Sequence, residues 1–172
     1  MEQRSKFQEE FIGNSCFRME ESLRMIRISL DTISEEEVWQ KPNPALNSIG
    51  NLILHLCGNI TQYGIASLRG SADERNRDSE FAMQGGISKE KLFAKLYATV
   101  EEAKATFRNT KVNRLLEQRK VQGFTFSGIG NIVHVVEHFS YHTGQIAFLV
   151  KLLREDQLGF YDGHDLNQLN NE

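Results

Sequence analysis

The sequence predicts an all-α protein whose simplest architecture is a four-helix bundle. Only two prolines occur, Pro42 and Pro44, and both lie in one short connection, so the long stretches on either side contain no helix breaker. Apolar residues recur at helical spacing through four long segments. Four amphipathic helices bury their apolar faces most simply as a bundle. We expect the 172 residues to form a single domain, 1–172, with a core that needs no disulfide.

The first two segments carry clear helical patterns. Spacings of four and three alternate along the first segment and predict a helix from about residue 4 to 30, with the stripe Ile12, Cys16, Met19, Leu23, Ile26 and Leu30. The Ser34–Glu37 spacing is that of a capping box and predicts a turn. Asn47 or Ser48 then caps a second helix that ends near Gly70, with the stripe Ile49, Leu52, Ile53, Leu56, Ile60 and Tyr63.

The second half of the chain contains the other two helices. The stretch 70–86 is polar, flanked by glycine and charged with both signs, which predicts a long surface connection. Ser88 begins a third helix with the stripe Leu92, Leu96, Val100, Ala103 and Phe107, and a shorter helical piece at Leu115 and Leu116 follows it. The fourth helix begins near Ser127 or Gly128 and ends at about residue 154. We expect the tail beyond residue 158 to be irregular.

Composition excludes several classes of function. Lysine and arginine number 20 against 23 aspartates and glutamates, a formal net charge of −3, so no basic excess is present to neutralise nucleic-acid phosphates. The first ten residues do not resemble a signal peptide, and no run of about 18 apolar residues occurs, so we expect a soluble, cytoplasmic protein with no membrane partner. Cys16 and Cys57 are too few and too far apart for a disulfide framework or a CxxC site, and we interpret them as buried apolar thiols.

A ladder of three histidines, His134, His138 and His142, lies at four-residue steps in the fourth helix. With a rise of ~1.5 Å per residue, imidazoles four apart project from one face about 6 Å from each other, within reach of one metal ion. At ~100° per residue, His138 and His142 fall on the apolar face. His134 falls at its flank, beside Tyr141 and Gln145, where it either supports the other two or is a surface residue.

A third ligand has to come from another helix. His55 is the best candidate because it lies among Leu52, Ile53 and Leu56, although it falls at the edge of that apolar stripe. Its neighbourhood, which includes Asn59 and Gln62, is consistent with either a polar pocket or a solvated flank. His164 lies in a turn-like sequence and is expected to be structural or exposed.

Two other metal motifs share some of the same residues. His134, Glu137 and His138 formally match H-x-x-E-H, the inverted zinc-protease signature. The 34 residues after His138 supply few downstream acidic ligands, and the chain lacks the strands of a peptide-binding cleft, so this match is interpreted as accidental. A di-iron bundle needs paired Glu-x-x-His motifs, and no glutamate stands three residues before His55, His138 or His142.

The segments NSIGNLILHLCGN and, 83 residues after His55, HFSYHTGQI resemble the DinB/YfiT-like family of metalloenzymes, and the resemblance spans nearly the whole chain. It implies a four-helix bundle with a three-histidine metal site. The positions that match the family's histidines are His55, His138 and His142, followed by Gly144 and Gln145. His134 is additional to that triad and leaves an alternative set of ligands open.

Three histidine ligands leave at least one coordination position open, as in catalytic sites. Histidine ligands suit a divalent ion, zinc or nickel first, with iron or copper as alternatives. Proteins similar to this family include metal-dependent thiol S-transferases and thiol-dependent isomerases that use bacillithiol or mycothiol. The resemblance thus implies a homodimeric, metal-dependent enzyme that activates a small thiol or water toward a small-molecule substrate.

The sequence pattern assigns no catalytic residue. Glu137, Tyr141, Asn59 and Gln145 are candidates for lining the pocket or supporting the ligands. The alternative function is non-enzymatic: a dimeric helical protein for binding or stress response in which any metal is structural.

Overall fold

The computed structural model describes residues 6–169, and most of these residues are helical. In chain order the elements are α1 (Lys6–Asp31), a 3-10 turn (Glu37–Trp39), α2 (Ile49–Asn59), a π-helical segment (Ile60–Ala66), α3 (Ser67–Arg69), α4 (Arg77–Ala82), α5 (Lys89–Asn109), α6 (Val112–Leu116), β1 (Gln118–Val121), β2 (Phe124–Ser127) and α7 (Gly128–Arg154). The second long helix of the bundle is therefore continuous from α2 through the π segment to α3. The predicted start of the first helix, at residue 4, lies outside the described residues.

The four long helices pack as a bundle, which confirms the predicted fold class. Helices α1 and α2 each contact both α5 and α7, so α1 and α2 occupy opposite corners. The core between them is built from the apolar stripes and includes Met19, Ile53, Leu96 and Phe139, all fully buried. Within residues 6–169, no helix combines the length and apolar character needed to cross a bilayer. Cys16 and Cys57 are buried and free, as predicted.

The start of α2 is fixed by a capping box that also holds the next connection in place. Ser48 is the N-cap: its hydroxyl accepts a hydrogen bond from the Asn51 backbone N–H at 3.1 Å, and Asn51 Oδ1 accepts from the Ser48 N–H at 3.2 Å. Asn51 Nδ2 in turn donates to the backbone oxygens of Glu80 and Met83 at 3.0 and 2.8 Å. These bonds dock α4 against α2, so the stretch predicted as a surface connection contains a helix packed on the bundle.

A β-hairpin precedes α7 and was not predicted. Strands β1 and β2 pair antiparallel, and the turn residues Gln122 and Gly123 both have positive φ, 50° and 86°, as a two-residue type I′ turn requires. The signal was present in the sequence, because Val121, Phe124 and Phe126 flank a Gln-Gly dipeptide. Each strand has only four residues, and the long helical patterns on both sides favoured a helical interpretation of this segment.

Candidate metal centre

Three histidine rings from two helices converge between α2 and α7. His55 Nε2 lies 2.9 Å from His138 Nε2, and His142 Nε2 lies 3.1 Å from the same atom. The three ring nitrogens all lie within 4.8 Å of one another, close enough to hold one metal ion. His55 and His142 are 5% and 8% exposed, whereas His138 is partly exposed and marks the open side of the cluster.

Hydrogen-bond partners at the far ring nitrogens direct lone pairs into the cluster. His55 Nδ1 lies 3.0 Å from Glu80 Oε2, and His142 Nδ1 lies 2.7 Å from Gln145 Oε1. Because these oxygens accept, both Nδ1 atoms carry the proton and both Nε2 atoms present lone pairs. His138 Nε2 can donate a proton to only one of them. At least one of the two Nε2–Nε2 contacts therefore brings two lone pairs together without a hydrogen bond. A bound cation would accept these lone pairs.

The electrostatics of the cluster keep two of its imidazoles, those of His138 and His142, neutral at physiological pH. Burial is the main cause that lowers the pKa of His138 to about 3, and the proximity of His142 and His55 adds to it. Burial also lowers the pKa of His142. Neutral imidazole is the form that binds a metal, so these two rings need not lose a proton first.

Glu80, from α4, is the carboxylate that supports His55. Arg75 donates two hydrogen bonds to this carboxylate, from Nε to Oε1 at 2.7 Å and from Nη2 to Oε2 at 2.8 Å. Burial raises the pKa of Glu80, but the hydrogen bonds from Arg75 and His55 outweigh it and hold that pKa below its usual range. Arg75 Nη2 also lies 3.0 Å from His55 Nδ1, yet a guanidinium only donates, so the ionised Glu80 is the acceptor for the ring N–H.

A glycine on α2 gives Glu80 the space to reach His55. A Cβ at Gly58 would overlap Glu80 Oε1 and would stand 2.7 Å from Arg75 Nε and 2.8 Å from Glu80 Cδ. Beyond Arg75 the polar chain continues: Arg75 Nη1 donates to Gln62 Oε1 at 2.9 Å, and Gln62 donates to Asp73. The 71–80 segment is thereby tied to α2 and to the π-helical segment by polar contacts on both sides.

His134 lies beside the cluster but is not one of its converging groups. Its Nε2 lies 3.1 Å from Asn59 Nδ2, and its ring stacks on that of His138 at 5.2 Å between centroids. On its other sides it meets Tyr63, from the π-helical segment, and Phe126, from β2. The hairpin and the π segment thus enclose His134, which supports the cluster from the flank.

The other sequence candidates fall in different places. Gln145 bonds His142, and the Tyr141 ring lies 5.0 Å from the His142 ring, so both border the cluster. Glu137 is exposed and is not among the groups that converge with the histidines. His164 is exposed, as one of its two predicted states.

The fold is that of a DinB-like helical bundle. The chain belongs to the family described as a protein of unknown function (DUF1572), which matches residues 6–161. Among curated protein sequences none matches it.

Several solved structures share this fold, and two of them are crystal structures of bacterial proteins. A conserved protein from Enterococcus faecalis is 17% identical, with a TM-score of 0.65 over 91% of this chain and 100% of that one. A DinB-like protein (YjoA) from Bacillus subtilis is also 17% identical, with a TM-score of 0.65 over 88% and 96%. The likeness confirms the resemblance to DinB/YfiT-like proteins at the level of the fold.

The lowered histidine pKa values predict an acid-sensitive metal-free protein. Because the folded pKa of His138 is about 3 and its usual value is 6.5, the unfolded chain binds more protons between these pH values. The contribution of the neutral His138 to the free energy of unfolding is therefore fully present above pH 6.5. Below that pH it falls by about 1.4 kcal/mol per pH unit for one such histidine. Thermal melts of EDTA-treated protein at pH 7.5 and 5.0 measure this, and His138→Gln should flatten the slope. Equal melting temperatures at the two pH values would contradict it.

Proposed function

We propose that this chain is a divalent-metal-dependent enzyme in which His55, His138 and His142 bind one ion, zinc or nickel first and iron or copper as alternatives. The observation that supports the proposal most is the convergence of three Nε2 atoms on one point while Glu80 and Gln145 hold the opposite nitrogens of two rings. Neutral nitrogen donors of this kind suit these metals. Three protein ligands leave a position for water or substrate, as in catalytic sites.

A bound divalent ion supplies Lewis acidity, which makes a small thiol or water ionise near neutral pH. The surrounding residues orient the ligands and admit the substrate. Glu80 and Gln145 hold His55 and His142 with their Nδ1 protons directed outward, and His138 faces the open side. Tyr141, which is 61% exposed beside His142, places a phenol where it can donate a hydrogen bond to a bound substrate.

The reaction class we propose is transfer of a small thiol, such as bacillithiol or mycothiol, or hydrolysis of a small molecule. The thiol reaction is testable with a chlorinated dinitrobenzene, in which the thiolate sulfur forms the new C–S bond and chloride leaves. The hydrolytic reaction is testable with a nitrophenyl ester, in which water adds to the carbonyl and nitrophenolate leaves.

We expect metal-replete protein to catalyse one of these two reactions at least about tenfold faster than EDTA-treated protein, because ionisation of the nucleophile depends on the ion. The measurement is initial rate with each thiol or ester, before and after the metal is restored. His138→Ala should lose the metal-dependent rate and His164→Ala should keep it. Metal that raises the melting temperature without any turnover would favour a structural metal. The homodimer and the cytoplasmic location stay predictions.

A further inference from the structure

A cavity of about 510 Å³ opens beside the histidine cluster, between the start of α2 and the outer face of α7. Its floor includes Leu52 and Leu149, both buried. Its rim includes Leu46, Tyr141 and Phe148, all exposed. A concave, largely apolar space of this volume has the size of a small-molecule site.

Two of the cavity's lining residues also touch a proposed metal ligand. Gln145 lines the cavity and accepts the hydrogen bond from His142 Nδ1 at 2.7 Å. Tyr141 lines it with a ring that stands edge-on to the His142 ring, 5.0 Å away between centroids. A molecule in the cavity is therefore separated from His142 by no more than one layer of side chains.

The lining of this cavity selects for an uncharged occupant. Its polar side chains are Asn47, Tyr141 and Gln145, and none of the residues that line it carries a charge. A carboxylate or phosphate buried there would have no charged partner to offset its desolvation. A second cavity, of about 560 Å³ behind Glu80, is by contrast lined by ionic groups that include Asp73 and Lys95. The two cavities therefore differ in the chemistry they accept.

A glycine in the middle of α7 keeps the first cavity open. Gly144 lines it, and a Cβ at this position would meet no atom within 4 Å, so packing does not require the glycine. Glycine in a helix interior is less stable than alanine by roughly 1 kcal/mol. Here the missing side chain leaves the space that an occupant needs.

We propose that this cavity binds the substrate that reacts with the activated thiol or water, and that this substrate is a neutral, predominantly apolar molecule of aromatic size. The assignment rests on the proposed function for its chemistry, but the cavity itself can be tested without turnover. The occupant's apolar part lies on Leu52, Leu149 and Phe148. Its reacting group extends past Tyr141, beside His142, toward His138 on the open side of the cluster.

The test uses N-phenyl-1-naphthylamine, a neutral diaryl amine that fluoresces in apolar surroundings, as the probe. Wild-type protein should bind one probe per chain. Gly144→Leu, which fills the cavity, should weaken binding at least tenfold while metal content is unchanged. Gly13→Leu is the matched control, because Gly13 is also interior to a helix and a Cβ there also meets nothing within 4 Å. Proton relaxation of the bound probe should be faster in Co²⁺-loaded than in Zn²⁺-loaded protein.

The outcomes separate this inference from the proposed function. Metal-loaded protein that does not bind the probe, or binds it equally well as Gly144→Leu, overturns the cavity assignment and leaves the metal site standing. Equal probe relaxation with Co²⁺ and Zn²⁺ overturns the placement beside the metal. Self-association that Gly144→Leu abolishes, without probe binding, identifies the cavity as an interface between two copies and overturns the proposal. Protein that binds no metal overturns the proposed function; probe binding by that protein, weakened in Gly144→Leu, would still support the cavity as a binding site for a neutral apolar molecule.

Discussion

Replacing any one of His55, His138 and His142 by alanine is expected to abolish stoichiometric metal binding, with affinity reduced at least about 100-fold. The three Nε2 atoms share one small region, so each substitution removes one of three donors and leaves the other two unable to complete the site. Loss of a supporting residue alone typically reduces metal affinity 10–100-fold, and loss of a ligand should exceed that range. Metal content after dialysis, followed by competition with a chelator, measures the effect.

The remaining two histidines provide matched controls. His134→Ala removes a ring that stacks on His138 but does not converge with the cluster, so metal content should stay near one per chain. His164→Ala removes an exposed ring and should change nothing. Full retention of metal in all three ligand variants would reject the proposed ligand set. Loss of metal in His134→Ala alone would instead select the alternative set that includes His134.

The four-helix fold could be predicted from the sequence because each helix is marked by a pattern of residues that lie close together in the chain. Helical spacing of apolar residues identified the four long helices, and the Ser48 cap was one of two predicted positions. The hairpin at Gln122 and Gly123 was missed for the opposite reason. Its strands are only four residues long, and a two-residue turn is a weaker signal than the long periodic segments on both sides.

Only part of the histidine cluster could be predicted from patterns of this kind. The four-residue spacing of His138 and His142 is a property of one helix, so it could be predicted from the chain alone. His55 lay at the edge of its stripe, and its position toward α7 depends on how two helices pack. Glu80 and Arg75 were missed entirely, because they lie in a polar segment whose path over α2 is set by tertiary contacts of Asn51 and Gly58. No periodicity in that segment marks it as part of a site.

Glu80 is expected to be the most important residue of the site apart from its histidines. Glu80→Gln keeps an oxygen that can accept the His55 Nδ1–H bond but removes the charge that Arg75 pairs with, 2.7 Å from Nε. Removing such a carboxylate partner should reduce metal affinity about 10–100-fold. Chelator competition at constant pH measures the change. Wild-type affinity in Glu80→Gln would show that the carboxylate's charge does not support the ligand.

Gly58→Ala tests the same support without altering any polar group. The added methyl would overlap Glu80 Oε1, so the carboxylate has to withdraw from His55 or α4 has to shift. We expect metal affinity to fall about tenfold or more. Gly13→Ala is the control: its Cβ meets nothing, and it should raise stability by roughly 0.5–1 kcal/mol with unchanged metal affinity. If Gly58→Ala behaved like Gly13→Ala in both the melting temperature and the metal affinity, the close approach of Glu80 to α2 would have no role in holding His55.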